Sequence, residues 1–143
     1  MKLVYNPKYR DLMVKQVREQ LSFFLQNSIE FSIVVNMDSG IDFNPSLPEE
    51  VTSAFREFTL FTISGYTFSS AFVKDDKFVF EAGFGRENIG SIVHVDLDRI
   101  LQIVISETPI FINVTASVEK TKTKDSFNVF ASKERNKKFF KKD

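Results

Sequence analysis

From Phe78 to Ile105 the chain reads FVFEAGFGRENIGSIVHVDLDRILQIVI, and its apolar spacing changes twice along the way. Phe78, Phe80, Ala82 and Phe84 alternate with Val79, Glu81 and Gly83, the period of a strand with one buried face. The glycines at 83, 85 and 90 permit a tight reversal that side chains would obstruct, so a second strand is expected from Ile89. After Val95 the apolar positions become Leu97, Ile100, Leu101 and Val104, with Asp96 placed to accept the first free amide hydrogens. That spacing predicts a short helix near 96–104. The fold class that emerges is α+β, mostly β.

On the N-terminal side, Asn6 followed by Pro7 reads as a helix cap and first helical residue, and the helix should run to about Gln26. Its apolar stripe is Met13, Val17, Leu21, Phe24 and Leu25, broadened by Leu12, Val14 and Phe23. The surplus fits either a dimer contact, with Met13, Val17, Leu21 and Phe24 as its interface, or a helix buried on two sides by its own domain. Ile29 to Met37 has the β-branched density of a strand and ends at an Asp38-Ser39-Gly40 turn. From Ile41 to Arg56 the pattern is weak, and Pro48-Glu49-Glu50 opens either a short helix or a loop. Glu57 to Ile63 suggests a strand covered on both faces. Phe68 to Val73 and Lys77 to Phe84 form an expected hairpin around Lys74-Asp75-Asp76. Ile110, Ile112, Val114, Ala116 and Val118 alternate as a closing strand.

With 143 residues, the chain is long enough for one core. Seventeen phenylalanines and no tryptophan make that core aromatic. There is no cysteine, which removes disulfides and thiolate chemistry and fits a reducing compartment. No export signal is read in Met1 to Arg10, and no stretch reaches the length of a membrane span, so a cytoplasmic location is expected. Residues 1–119 carry 10 Lys and Arg against 16 Asp and Glu, whereas residues 120–143 carry 9 against 3. The acidic body and basic end divide the chain into an expected domain at 1–118 and a basic, flexible tail at 119–143.

Enzymatic chemistry finds little support. His94 is the only histidine and lies in a strand pattern, so no histidine-based metal cluster or nucleophile pair can be assembled. The glycines at 83, 85 and 90 do not have phosphate-loop spacing, and a strand follows them where such a loop needs a helix start. Asp38 with Asp42, Asp75 with Asp76, and Asp96 with Asp98 fall where turns and caps already favour aspartate. The expectation is a non-enzyme without metal or cofactor.

Several blocks resemble the SspB family, the stringent starvation protein B adaptors of bacteria. Ile63-Ser64-Gly65-Tyr66-Thr67-Phe68 is similar to that family's Ile-Ala-Pro-x-Ala-Val, and Lys74-Asp75-Asp76-Lys77 falls where its strand-joining turn lies. Phe80-Glu81-Ala82-Gly83-Phe84-Gly85-Arg86 resembles its Phe-x-Ala-Arg-Phe-Gly-Gly. Val93-His94-Val95-Asp96 and Ile100-Leu101-Gln102-Ile103 resemble its Val-x-Val-Pro and Val-Leu-x-Ile, so the likeness runs in order over about residues 8 to 106. Gly83 stands where the family has arginine, with Arg86 three residues on; Thr67 replaces alanine and Asp96 proline. The basic end differs from the family's long acidic tail with its aliphatic docking motif.

The resemblance implies a small, strongly bent antiparallel sheet, barrel-like in the manner of Sm and SH3 folds, with a leading helix that makes a homodimer. It implies a non-catalytic adaptor that holds an extended peptide, the ssrA-type degradation tag, and delivers tagged proteins to the ClpXP unfoldase-protease. Carried over position by position, the groove would be lined by Thr67, Phe68, Ala82, Gly83, Phe84, Gly85 and Arg86. Small residues beside a sheet admit a foreign main chain, and aromatic neighbours pocket its side chains. The alternative is a small β-fold RNA-binding module using the basic tail and exposed aromatics.

Overall fold

Asn6 opens the longest element of the computed structural model, which describes residues 2–120. Its side chain accepts from the backbone N–H groups of Lys8 and Tyr9, and Pro7 begins helix α1 (Pro7–Gln26). Every fourth or third residue of the stripe, Met13, Val17, Leu21 and Phe24, is buried in the protomer's own core. The side chains assigned above to a dimer interface are therefore enclosed within one chain. The helical period turns only Leu12 and Phe23 outward from the apolar surplus, at 45% and 56% exposure.

Strands β1 (Phe31–Asn36), β2 (Ile41–Asn44), β3 (Phe58–Ile63), β4 (Phe72–Lys74), β5 (Lys77–Phe84), β6 (Ile89–Asp96), β7 (Ile100–Ile105) and β8 (Thr108–Ile112) form two antiparallel four-stranded sheets, ordered β3-β1-β7-β8 and β2-β6-β5-β4. Among the described residues no barrel closes, so the barrel-like expectation gives way to two packed sheets. Ile33, Val35, Phe61, Ile63, Ile100 and Ile103 from one meet Phe78, Phe80, Val93 and Val95 from the other, and α1 seals one side with Val17, Leu21 and Phe24. Phenylalanine rings knit this interior: Phe31 lies 6.0 Å from Phe78, and Phe61 lies 5.8 Å from Phe80.

The β5–β6 hairpin forms over the strands read from the sequence, in register from Lys77↔Asp96 to Phe84↔Ile89. The short helix expected near 96–104 does not form. A 3-10 turn at Leu97–Arg99 leads into β7, an inner strand of its sheet. The β1–β7 register shifts between Val34 and Val35, so Ile100 and Ile103 both face the core three residues apart. A bulge adds one residue to the strand and turns its two-residue period into an apparent helical step. Asp96 makes no capping bond; its carboxylate pairs with Lys77 and Lys120.

Three further expectations are corrected. Gly65–Ser70 is a short helix, α3, and only Phe72–Lys74 remains as the strand before the Asp75-Asp76 turn. Hydroxyl side chains favour the helix locally, since Ser70 donates to Thr67 O and accepts from Glu81 N, occupying the edge of β5 where a strand partner would sit. β3 is covered on one face only: Phe61 and Ile63 are buried, whereas Leu60 is 53% exposed. The closing strand stops at Ile112, because Asn113 accepts from Thr115 N and donates to Ile100 O, starting a 3-10 turn at Val114–Ser117. In the stretch left open between Ile41 and Arg56, β2 is followed by a single helical turn, α2 (Glu49–Thr52).

The chain is clasped as far as Lys120. Asn36 donates to the carbonyls of Ala116 and Val118, Lys120 N donates to Asp38, and the buried Arg99 donates to both Asp38 Oδ1 (2.9 Å) and Val118 O (3.1 Å). The predicted basic, flexible tail beyond this point, with Phe127, Val129, Phe130, Phe139 and Phe140, lies outside the described residues.

Candidate functional site

The β5–β6 turn places Phe84 at the end of its strand and then reverses through Gly85 and Asn88, both with positive φ, closed by Asn88 N to Gly85 O. Phe84 turns inward between the sheets and meets three rings edge-on: Phe43 at 5.5 Å, Phe55 at 6.2 Å and Phe61 at 6.2 Å. Phe43 and Phe55 stack at 5.6 Å, which draws the segment after α2 onto the hairpin tip. A Cβ on Gly85 would lie 3.0 Å from Val51 Cγ2, so the glycine provides both the left-handed turn and the close approach of α2.

Between these elements lies an open trough of about 600 Å³, with Phe55 and Phe84 as floor, Val51, Ala54 and Ile89 as walls, and Glu50, Arg86 and Glu87 at the rim beside Gly85. Glu50, Arg86 and Glu87 are exposed and make no ion pair or side-chain hydrogen bond among the described residues. The cavity therefore combines an aromatic surface that gains by losing water with unpaired groups of both charges, the composition of a recognition site.

Of the seven groove residues read from the sequence, Phe84, Gly85 and Arg86 line this trough, and Thr67, Phe68, Ala82 and Gly83 do not. Thr67 and Phe68 stand on α3 against β5, with Phe68 turned in on Phe31 at 6.3 Å. Ala82 packs half-buried against the core. Gly83 is exposed, but the space its side chain would occupy is filled, with Asn88 Oδ1 1.8 Å from an ideal Cβ. The floor of this trough is formed by phenylalanine rings. Glu50, Val51, Ala54, Phe55, Glu87 and Ile89 were missed; the Pro48-Glu49-Glu50 helix start marks the turn that carries Glu50 and Val51, and no local signal marks Phe55, which lies beyond that turn.

A second cavity, of about 520 Å³, opens between α1 and the Leu97–Arg99 turn. Its charges largely neutralise one another: Arg18 pairs with Asp76, Lys77 with Asp96, and Lys120 Nζ with Asp98 at 3.2 Å and Asp96 at 3.3 Å. Partial burial raises the Asp96 carboxyl, yet the bond from Lys77 and the charges of Lys120 and Lys77 outweigh it and hold the group below its ordinary range. Asp98 Oδ1 and Arg99 Nε stand 3.5 Å apart, within ion-pair reach but without a hydrogen bond. Among the described residues no group of His, Cys, Asp or Glu could hold a metal ion. Tyr66 is 69% exposed and donates to Glu81, whose hydrogen bond and charge push the phenol up. No described helix is long and apolar enough to cross a membrane.

Compared with protein-family models, curated proteins and solved structures, the chain matches none.

Proposed function

We propose that this chain is a non-catalytic, cytoplasmic peptide-binding adaptor, which holds an extended segment of a client protein in the trough between α2 and the β5–β6 turn. The observation that carries this reading is the aromatic floor of Phe55 and Phe84 under an open rim of Glu50, Arg86 and Glu87. An unfolded segment can lay one bulky apolar side chain on that floor while its flanking polar groups meet the rim. The SspB resemblance supplies the biological setting: an ssrA-type tag as ligand, homodimeric assembly, and delivery to a ClpXP-type protease, where tethering raises local substrate concentration. Arg86 serves here in place of the family's arginine as the donor for a peptide carboxylate.

Fluorescence anisotropy with a labelled ssrA-type peptide and the full chain tests the reading. Binding is expected below about 100 µM, the weakest range useful for recognition. Ala54→Phe, at an exposed position on the trough wall, should fill the cavity and weaken binding at least about tenfold, a loss of about 1.4 kcal/mol. No binding by the unaltered chain refutes the adaptor function, and unchanged affinity in Ala54→Phe removes the trough as its site. The RNA-binding alternative rests on the exposed rings of Tyr66 and Phe72, at 69% and 48%, and predicts affinity for single-stranded RNA that falls steeply with salt.

A further inference from the structure

Opposite charge divides the chain at Lys120. Residues 1–120 hold 11 Lys and Arg against 16 Asp and Glu, and residues 121–143 hold 8 against 3. Within the second group, Lys137-Lys138-Phe139-Phe140-Lys141-Lys142-Asp143 sets two adjacent phenylalanines between two pairs of lysines, with a carboxylate side chain after them. The trough presents a counterpart to each of these groups: Phe55 and Phe84 as its floor, Glu50 and Glu87 at its rim, and one cation, Arg86, beside them. The three rim side chains are exposed and make no ion pair among the described residues. The second cavity offers no such match, because Asp76, Asp96 and Asp98 already pair with Arg18, Lys77 and Lys120, and only Val14 and Leu97 line it with apolar surface.

We propose that residues 137–143 of the same chain occupy the trough, with Phe139 and Phe140 on the Phe55–Phe84 floor, and so compete with a client peptide for it. The docking stands on the complementarity just described; its regulatory meaning rests on the reading of the trough as a peptide site. Rings laid on rings leave water and gain edge or offset contacts, while the flanking lysines meet Glu50 and Glu87 and Asp143 meets Arg86. Covalent reach selects this segment over the other aromatic one. Lys120 is held through Asp96 to the Lys77 end of β5, and the trough lies at the Phe84 end, roughly 23 Å away at about 3.3 Å per residue. Phe127, seven residues past Lys120, reaches at most about 25 Å fully extended, which leaves nothing for a path around the surface. Phe139, 19 residues past Lys120, reaches up to about 68 Å. The flanks agree, since Ser126, Asn128, Val129 and Ala131 beside Phe127 and Phe130 bring no charge to the acidic rim. A segment of the same chain meets the trough at high local concentration, so modest contacts suffice to hold it there.

Zero-length carbodiimide coupling of the full chain reads the contact with no client present, at about 5 µM, dilute enough for contacts within one chain to dominate. Peptide mass spectrometry should find Glu50 or Glu87 joined to a lysine of 137–142 in material of single-chain mass. The double variant Phe139→Ser, Phe140→Ser should lose most of that product. In fluorescence anisotropy with the labelled ssrA-type peptide, the same variant should bind at least about fivefold more tightly than the native chain, because a trough filled about four-fifths of the time by its own segment shows one-fifth of its intrinsic affinity. Coupling of these lysines to the aspartates of the second cavity, coupling only in a product of twice the chain mass, or no coupling at all would each overturn the docking. Measurable but equal peptide affinity in the two chains would overturn the competition. If the coupling appears and neither chain binds the peptide, the docking stands and the adaptor reading fails; if both bind it equally and nothing couples, the adaptor reading stands and the docking fails.

Discussion

Replacing Arg99 by Met removes the guanidinium from the C-terminal clasp while keeping nearly the same volume. Arg99 is 1% exposed, and its Nη1 bonds the Asp38 carboxylate at 2.9 Å and the Val118 carbonyl at 3.1 Å. A charge-assisted bond of this kind contributes about 2 kcal/mol and the carbonyl bond about 1 kcal/mol. Removing one member of a buried pair costs about 3–5 kcal/mol when the orphaned charge has no other partner. Asp38 retains Lys120 N at 2.8 Å and its side chain is 19% exposed, so the loss should fall at the lower end, about 3 kcal/mol. Urea unfolding followed by circular dichroism measures it as a fall in midpoint at constant slope. The double variant Asp38→Leu, Arg99→Met should recover part of the loss, because no unpaired charge is then buried. A single-variant loss below about 1 kcal/mol, or a double variant worse than the sum of the singles, would refute the claim that the ion pair anchors the chain end.

Acid should loosen the neighbouring pairs. The folded Asp96 carboxyl titrates below its ordinary value of 3.8, so its contribution is fully present above that value and disappears as pH falls through the lowered one. Unfolding midpoints of the native chain and Asp96→Asn should therefore differ at pH 6, and the difference should shrink as pH falls below 3.8; a constant difference would contradict the ion-pair account. Gly85→Ala should destabilise by about 1–2 kcal/mol, since φ is +74° and Val51 Cγ2 would lie 3.0 Å from the new Cβ. Gly83→Ala should cost less, because only the flexible Asn88 amide has to move and the backbone is not left-handed there. Thermal melts of the two variants check the order, and a reversed order would mean that Asn88 holds the turn more strongly than Gly85 does.

Elements whose local signal agrees with their tertiary surroundings were legible in the sequence. α1 announced itself through Asn6, Pro7 and a regular apolar stripe, and the β5–β6 hairpin through alternation about a glycine turn. β7 was hidden because one bulge in its pairing with β1 gave a buried strand the spacing of a helix. α3 was hidden because a few hydroxyl bonds and the left-handed Gly65 decided its conformation, not any periodicity. A third of the trough's lining was readable, at Phe84, Gly85 and Arg86. Most of the rest depends on Phe55 folding back on Phe43 and Phe84, a contact across sequence that no local pattern encodes.

The clasp and the trough stand at opposite poles of the same hairpin. Lys120 is tied through Asp96 to Lys77 at one end of β5, and the trough begins at Phe84 at the other, roughly 23 Å away at about 3.3 Å per residue. A force applied between Phe84 and Lys120 would run along β5, loading its ladder bonds with β6 together instead of unzipping them singly. The hairpin is thereby the stiffest line through the described fold, and its two ends can be held apart without parting the strands.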